Sequence, residues 1–175
     1  MTIVTATTDH LTPIGRRNID NLARYADTIE VTPNQTVRRK IARIGLRTVG
    51  DISHGEHMSI WATPMWMAVK LNCPLVWYGE NPNNEIGGPK GTETAEAMTA
   101  RWVHELGGLL GMRARDLVGQ DGITEADIEP YLLPSPAEME TFKTYWLGSF
   151  LPWDGEQNAI IARDHGFEWY HEEVE

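Results

Sequence analysis

Three short apolar or β-branched runs, Thr2–Thr7, Thr28–Thr32 and Leu75–Tyr78, are separated in this chain by stretches with helical spacing. Between the first two, Ile19, Leu22, Ala23 and Ala26 recur on one helix face, which predicts an amphipathic helix over about 14–26. After Pro33, Asn34 caps a second helix with Val37, Ile41 and Ile44 as its inward stripe, and Gly50 ends it. Thr63 followed by Pro64 predicts a third helix start, because proline at the first helical position forfeits no hydrogen bond. That helix runs to about Asn72, while residues 51–62 show no clear period. Strand, helix, strand, helix, helix, strand predicts a parallel sheet wrapped by helices, with right-handed crossovers.

The pattern changes after Gly91. Thr92–Leu106, Thr124–Glu129, Pro136 to about Tyr145, and a segment opened by Trp153-Asp-Gly155 and closed by Gly166 read as helices, with a glycine-broken connection over 107–122. The expected organisation is an α/β unit over 1–91 and a helical C-terminal region over 92–175 packed on the same domain. A chain of 175 residues is long enough to bury one core without staples. Cys73 is the only cysteine, so the chain forms no internal disulfide and no multi-cysteine metal cluster.

Fifteen basic residues stand against 25 acidic ones, a formal charge of −10 that repels a phosphate backbone, so no nucleic-acid partner is expected. Arg38, Arg39, Lys40, Arg43 and Arg47 are gathered on one stretch and read as a solvated helix face, with phosphate binding as the alternative. No apolar run approaches the roughly 20 residues that span a bilayer, and the first residues carry no basic leader, so no membrane insertion and a cytoplasmic location are expected.

The run Leu75–Tyr78 passes directly into Gly79, Glu80, Asn81, Asn83, Asn84 and Glu85. Polar groups just past the carboxyl end of a buried strand sit where α/β sheets bind ligands, although a solvated acidic turn is the plainer alternative. His54 and His57 flank Glu56, a set that lacks an evident further ligand for zinc and reads rather as substrate contact or ordinary packing. Asp154 is a helix cap with no need of a ligand, and Trp153 can stack on a sugar or base. Trp61, Trp66, Trp77, Trp102, Trp146 and Trp169 are expected mostly in the core.

Several segments in order, spread over nearly the whole chain, carry a resemblance: Gly15-Arg-Arg-Asn-Ile-Asp-Asn-Leu22, Ile29-Glu-Val-Thr-Pro-Asn34, Ile44-Gly-Leu46, Val49-Gly-Asp51, Pro74-Leu-Val-Trp-Tyr-Gly-Glu-Asn-Pro82 with Glu85 and Gly87-Gly-Pro89, and Pro152-Trp-Asp-Gly-Glu-Gln-Asn-Ala159 with His165-Gly-Phe167. The chain resembles the N-acetyl sugar amidotransferases of lipopolysaccharide O-antigen biosynthesis, members of the PP-loop ATP pyrophosphatase superfamily with its adenine nucleotide alpha hydrolase-like sheet. The Gly-Glu-Asn-Pro loop and the Pro-Trp-Asp-Gly-x-x-Asn-Ala segment are its most specific parts.

The resemblance implies an ATP-dependent enzyme that activates the amide oxygen of a nucleotide-linked N-acetyl sugar, releases pyrophosphate, and lets ammonia from a separate glutaminase displace AMP to leave an acetamidino group. It implies ATP and magnesium as cofactors, Glu80, Glu85 and Asn81 as catalytic residues, and the two glutamates as magnesium ligands. Thr7, Asp9, His10 and Gly79 are implied nucleotide contacts, with Asp9 as a helix cap the alternative; Arg17, Asn18, Trp153, Asp154 and Asn158 are implied substrate contacts.

One departure stands out. The family's strand–Ser-Gly-Gly-x-Asp-Ser–helix unit, whose backbone amides hold ATP phosphates, is missing, as are the cysteines that precede it, and Met1 falls where the family's second strand begins. Since that first strand is central in the superfamily's sheet, its loss is expected to leave unpaired strand edges and apolar surface. A chain carrying the missing unit is then an expected partner. A split enzyme, a truncated record and a degenerate relic are the three explanations; the rival functions are a non-catalytic sugar- or nucleotide-binding subunit and another PP-loop enzyme such as a nucleobase thiolase.

Overall fold

The computed structural model describes residues 1–7, 11–79, 100–152 and 154–170, with the backbone alone at 101 and 106. It is a mixed α/β arrangement of short parallel strands and helices. In order along the chain, its main elements are β1 (Thr2–Ala6), α1 (Pro13–Leu22), β2 (Asp27–Val31), α2 (Gln35–Val49), α3 (His54–Leu71) and β3 (Leu75–Tyr78), followed by α4 (Ala100–Leu106), α5 (Glu125–Ile128), α6 (Pro136–Met139), β4 (Lys143–Trp146) and α7 (Gly155–Asp164). Short 3₁₀ turns join several of the later elements.

The start of each early helix follows from its cap. Thr12 Oγ1 accepts the Gly15 amide at 3.0 Å and Pro13 occupies the first turn of α1. Asn34 Oδ1 accepts the amides of Thr36 and Val37 at 2.9 and 3.2 Å, and Gly50, at φ +76°, closes α2 in the left-handed conformation that glycine adopts at low cost. The predicted stripe Val37, Ile41 and Ile44 is buried.

The strands pair in two parallel couples. β1 lies beside β2 in the register Val4↔Ile29, and β3 beside β4 in the register Val76↔Thr144. Among the described residues the two couples form separate two-stranded sheets. α3 is the shared support, packing against β1, β3 and α2.

The core lies on the β3–β4 side of α3. Val76 and Tyr78 alternate inward while Leu75 and Trp77 alternate outward, as the period of a strand requires. Trp61 of α3 meets Tyr78, Trp102 and Trp146 with ring centroids 5.5, 5.5 and 5.6 Å away, and the Trp102–Trp146 pair closes to 4.9 Å. Two of these rings are also tied by hydrogen bonds: Trp61 Nε1 donates to Gly107 O at 2.7 Å and Tyr78 Oη to Trp61 O at 3.0 Å. Truncating one such buried ring to alanine costs about 3–5 kcal/mol.

Three sequence expectations change. α3 begins at His54 and runs through Pro64, so Thr63-Pro64 does not start a helix. Proline here removes one main-chain hydrogen bond, and burial of Met58, Trp61, Ala62, Met65 and Ala68 around it offsets that loss. The helix expected from Pro136 to about Tyr145 lasts one turn, started by the Ser135–Glu138 capping box, and the aromatic and β-branched residues after it become β4. Finally, Trp77 and Trp169 are 47% and 37% exposed rather than core; Trp77 points away from α3 and stacks on Tyr145 and Phe150 at 5.5 and 5.2 Å. The predicted helical residues 92–99 lie outside the described residues.

α2 packs tightly against the start of α3 at Gly45, where an added Cβ would come within 2.5 Å of Asp51 O and 2.7 Å of His54 Cβ. Backbone sets the first contact, so the helices must separate to admit a methyl group. Gly45→Ala should lower unfolding free energy by about 1–3 kcal/mol, read as a drop in the urea midpoint at unchanged m-value; an unaltered midpoint would refute this close approach.

Candidate functional site

Among the described residues, two concavities bear on the site. The larger, about 950 Å³, is a groove between β1 and β3, lined by every residue from Met1 to Ala6 and from Leu75 to Gly79, with Ile60, Pro64, Met67 and Leu71 of α3 as its floor. The floor residues recur at the spacing of one helix stripe. No residue of β2 or β4 lines it, so it opens on the edge of each couple that faces away from its own partner strand. The smaller, about 570 Å³, lies by the C-terminal region and is apolar apart from groups such as His104, Arg113, Arg115 and Tyr131.

At the end of β1, Thr7 is buried and its hydroxyl donates to Glu30 Oε1 at 2.6 Å. Arg16 of α1 reaches the same oxygen at 2.7 Å and Asp20 at 2.8 Å. The Arg16 hydrogen bond, helped by Thr7, holds the Glu30 carboxyl below the usual carboxylate range. Gly79, at the end of β3, is exposed and has open space where a Cβ would stand. β1 and β3 thus bring Thr7 and Gly79 to the ends of the two strands that bound the groove.

Arg17 and Asn18 sit elsewhere in the interaction network. Arg17 forms a forked pair with Glu168, with Nη2 2.8 Å and Nε 3.0 Å from Oε2. Asn18 exchanges two bonds of 2.8 Å with the Glu168 backbone, and Asn21 Nδ2 and Tyr25 Oη both donate to His165 O at 2.8 Å. α1 therefore clamps the segment that follows α7. Asp154 accepts the Gln157 amide at 2.9 Å as the cap of α7, and Asn158 is exposed in the first turn of that helix. Glu80, Asn81 and Glu85, with the magnesium pair they include, and also Asp9, His10 and Trp153, lie outside the described residues.

The basic stretch of α2 is engaged within the molecule. Arg38 is buried against Glu56, Arg47 and Arg43 reach Asp121 at 3.1 and 3.8 Å, and Lys40 Nζ donates to Gly122 O at 3.4 Å. Among the described residues no three His, Cys, Asp or Glu side chains converge as a metal group. The amides at the starts of α1 and α2 are taken by Thr12 and Asn34, and no glycine-rich strand-to-helix loop appears among the described residues to cradle a triphosphate. The groove floor and the second cavity escaped sequence reasoning; their signal, an apolar stripe, is shared by ordinary core.

No family model matches the chain, and no curated protein matches it significantly. The resemblance therefore rests on the quoted segments alone.

His57 Nδ1 stands 3.0 Å from Asp51 Oδ2, whereas His54 is fully buried with no ring hydrogen bond among the described residues and Asp51 Oδ2 3.6 Å from its Nδ1. Burial holds His54 below its ordinary pKa, and the same cause, stronger than nearby Arg113, lowers His104. Unfolding lets both take up protons below about pH 6.5, so stability falls as pH drops from about 7 to 5. In urea melts His54→Leu should flatten that decline; a slope equal to the parent's would show that His54 does not carry it.

Proposed function

We propose that this chain is part of an ATP-dependent amidotransferase that converts the acetamido group of a nucleotide-linked N-acetyl sugar to an acetamidino group, in the service of surface polysaccharide such as lipopolysaccharide O-antigen. Support comes from one placement. The two loops that carry the implied nucleotide and catalytic residues, after Thr7 and after Gly79, follow directly on β1 and β3, the strands that bound the groove. Chain order runs β1 to β2 on one side of that groove and β3 to β4 on the other. Such a reversal is the point at which parallel α/β sheets bind ligands beyond the carboxyl ends of their strands.

In this assignment Thr7 and Gly79, with Asp9 and His10, contact the nucleotide. Glu80, Asn81 and Glu85 meet the amide, the glutamates also holding magnesium, and Trp153, Asp154 and Asn158 approach the sugar. Arg17 and Asn18 act indirectly, by fixing the segment His165–Glu168 on α1. ATP activates the amide oxygen as an adenylate and releases pyrophosphate; ammonia then attacks that carbon and AMP leaves. In this reading the triphosphate grip comes from another polypeptide segment, since the sequence holds no Ser-Gly-Gly-x-Asp-Ser loop. That same lack favours a second reading, a non-catalytic subunit that binds the sugar nucleotide and leaves ATP chemistry to its partner.

The deciding assay supplies ATP, magnesium, ammonium and a panel of nucleotide-linked N-acetyl sugars, together with a polypeptide bearing a strand and Ser-Gly-Gly-x-Asp-Ser loop. Pyrophosphate should appear in step with a product in which imine nitrogen replaces the acetamido oxygen. Glu80→Gln and Glu85→Gln should each slow turnover by roughly a hundredfold. Unchanged turnover in both variants would remove the site assignment, and sugar binding without pyrophosphate would select the non-catalytic reading.

A further inference from the structure

α1 reads the segment after α7 as a receptor reads a peptide. Arg17 forks onto the Glu168 carboxylate, and Asn18 both donates to Glu168 O and accepts from the Glu168 amide at 2.8 Å. Asn21 and Tyr25 hold His165 O, and the Tyr25 ring lies 5.5 Å from that of His165. Between these grips Gly166 sits at φ +87°, with Asn21 Oδ1 3.1 Å from where a Cβ would stand, so the site favours glycine there. Side chains of one helix and the turn after it thus select the sequence His165-Gly-Phe-Glu168.

The arm that carries this sequence has no core of its own. No residue of α7 is buried, and none of α1 is. A helix of 10 residues without a buried face is marginal in water. The Arg17–Glu168 pair is half-exposed, and such pairs contribute little. The arm therefore opens from the body at far lower cost than the core unfolds, and its departure leaves no cavity behind.

We propose that the arm, residues 155–170, is exchanged between two copies of this chain, with residues 165–168 of each docking on α1 of the other. Two observations select a second copy as the occupant. The recognised sequence is the chain's own, so every bond made within one molecule is remade between two. Leu147 and Leu151, in the connection that leads to the arm, and Ile161 and Phe167 of the arm itself are exposed. Exchange sets the two connections side by side about a two-fold axis, where these side chains cover one another. None of this depends on the amidotransfer reading.

The test mixes two full-length variants without ATP or sugar. Arg17→Glu and Glu168→Arg, at sites 52% and 49% exposed, each set like charges together at the clamp, within one chain and between identical chains alike. Mixed, they restore a native pair on one arm and a reversed pair on the other. With one variant mass-labelled, native mass spectrometry should find the parent in a monomer–dimer equilibrium and each variant alone mostly monomeric. The mixture should hold mixed dimers in roughly tenfold excess over dimers of either variant. Gly166→Ala should weaken the parent dimer, while hydrogen exchange at Ile41 and Val103 stays unchanged because the core is intact. A mixture that remains monomeric overturns the proposal. So do variants that dimerise alone as tightly as the parent, since the interface would then lie elsewhere.

Discussion

Packing around Trp61 holds this structure together. One indole on α3 meets Tyr78 of β3, Trp102 of α4 and Trp146 of β4, and its Nε1 donates to the main chain at Gly107. Elements far apart in sequence therefore converge on one side chain. The cluster also spans the parallel pair of β3 and β4, since Tyr78 lies on one strand and Trp146 on the other. The opposite stripe of α3 has no such cluster; it supports β1 at one end of a groove and remains partly bare in the middle.

This asymmetry links fold to function. The β3–β4 couple is anchored in the core, while the β1–α1–β2 unit has no fully buried residue in α1 and is tied to the rest through β1 on α3, the Arg17 and Asn18 bonds to Glu168, and the bonds to His165. The groove separates the two units, and the loops proposed for nucleotide and amide chemistry start at its bounding strands.

Much of the first half was legible in the sequence. β1, β2 and β3 follow from compact β-branched or apolar runs, and α2 from Asn34, its buried stripe and Gly50, because these signals are local and mutually consistent. β4 was hidden behind the Ser135–Glu138 capping box, a true helix start whose helix lasts a single turn. Thr63-Pro64 misled for the opposite reason: the same two residues occur within a helix whose burial offsets the missing amide. Long-range pairs such as Arg38 with Glu56, Arg47 with Asp121 and Asn18 with Glu168 carry no local pattern, so the charge run on α2 reads as a solvated face, which holds for the exposed Arg39, Arg43 and Arg47 but not for the buried Arg38. Of the site, Thr7 and Gly79 fell at strand ends as expected, but the groove between those strands is a tertiary feature that no single segment encodes.

The central claim is that, among the described residues, β1 and β3 are not neighbours in one sheet but bound a groove between them, and disulfide trapping reads that separation most directly. With Cys73→Ser as background, cysteine pairs are placed across the groove, as in Val4→Cys with Val76→Cys and its one-residue register neighbours, and Val4→Cys with Ile29→Cys serves as the control across β1 and β2. A disulfide needs Cα atoms within about 7 Å, whereas strands that are not sheet neighbours stand at least two strand spacings, about 10 Å, apart. The account predicts that the control pair oxidises and that every pair across the groove stays reduced; ready disulfide formation between β1 and β3 would show the strands to be neighbours and the groove between them not to exist.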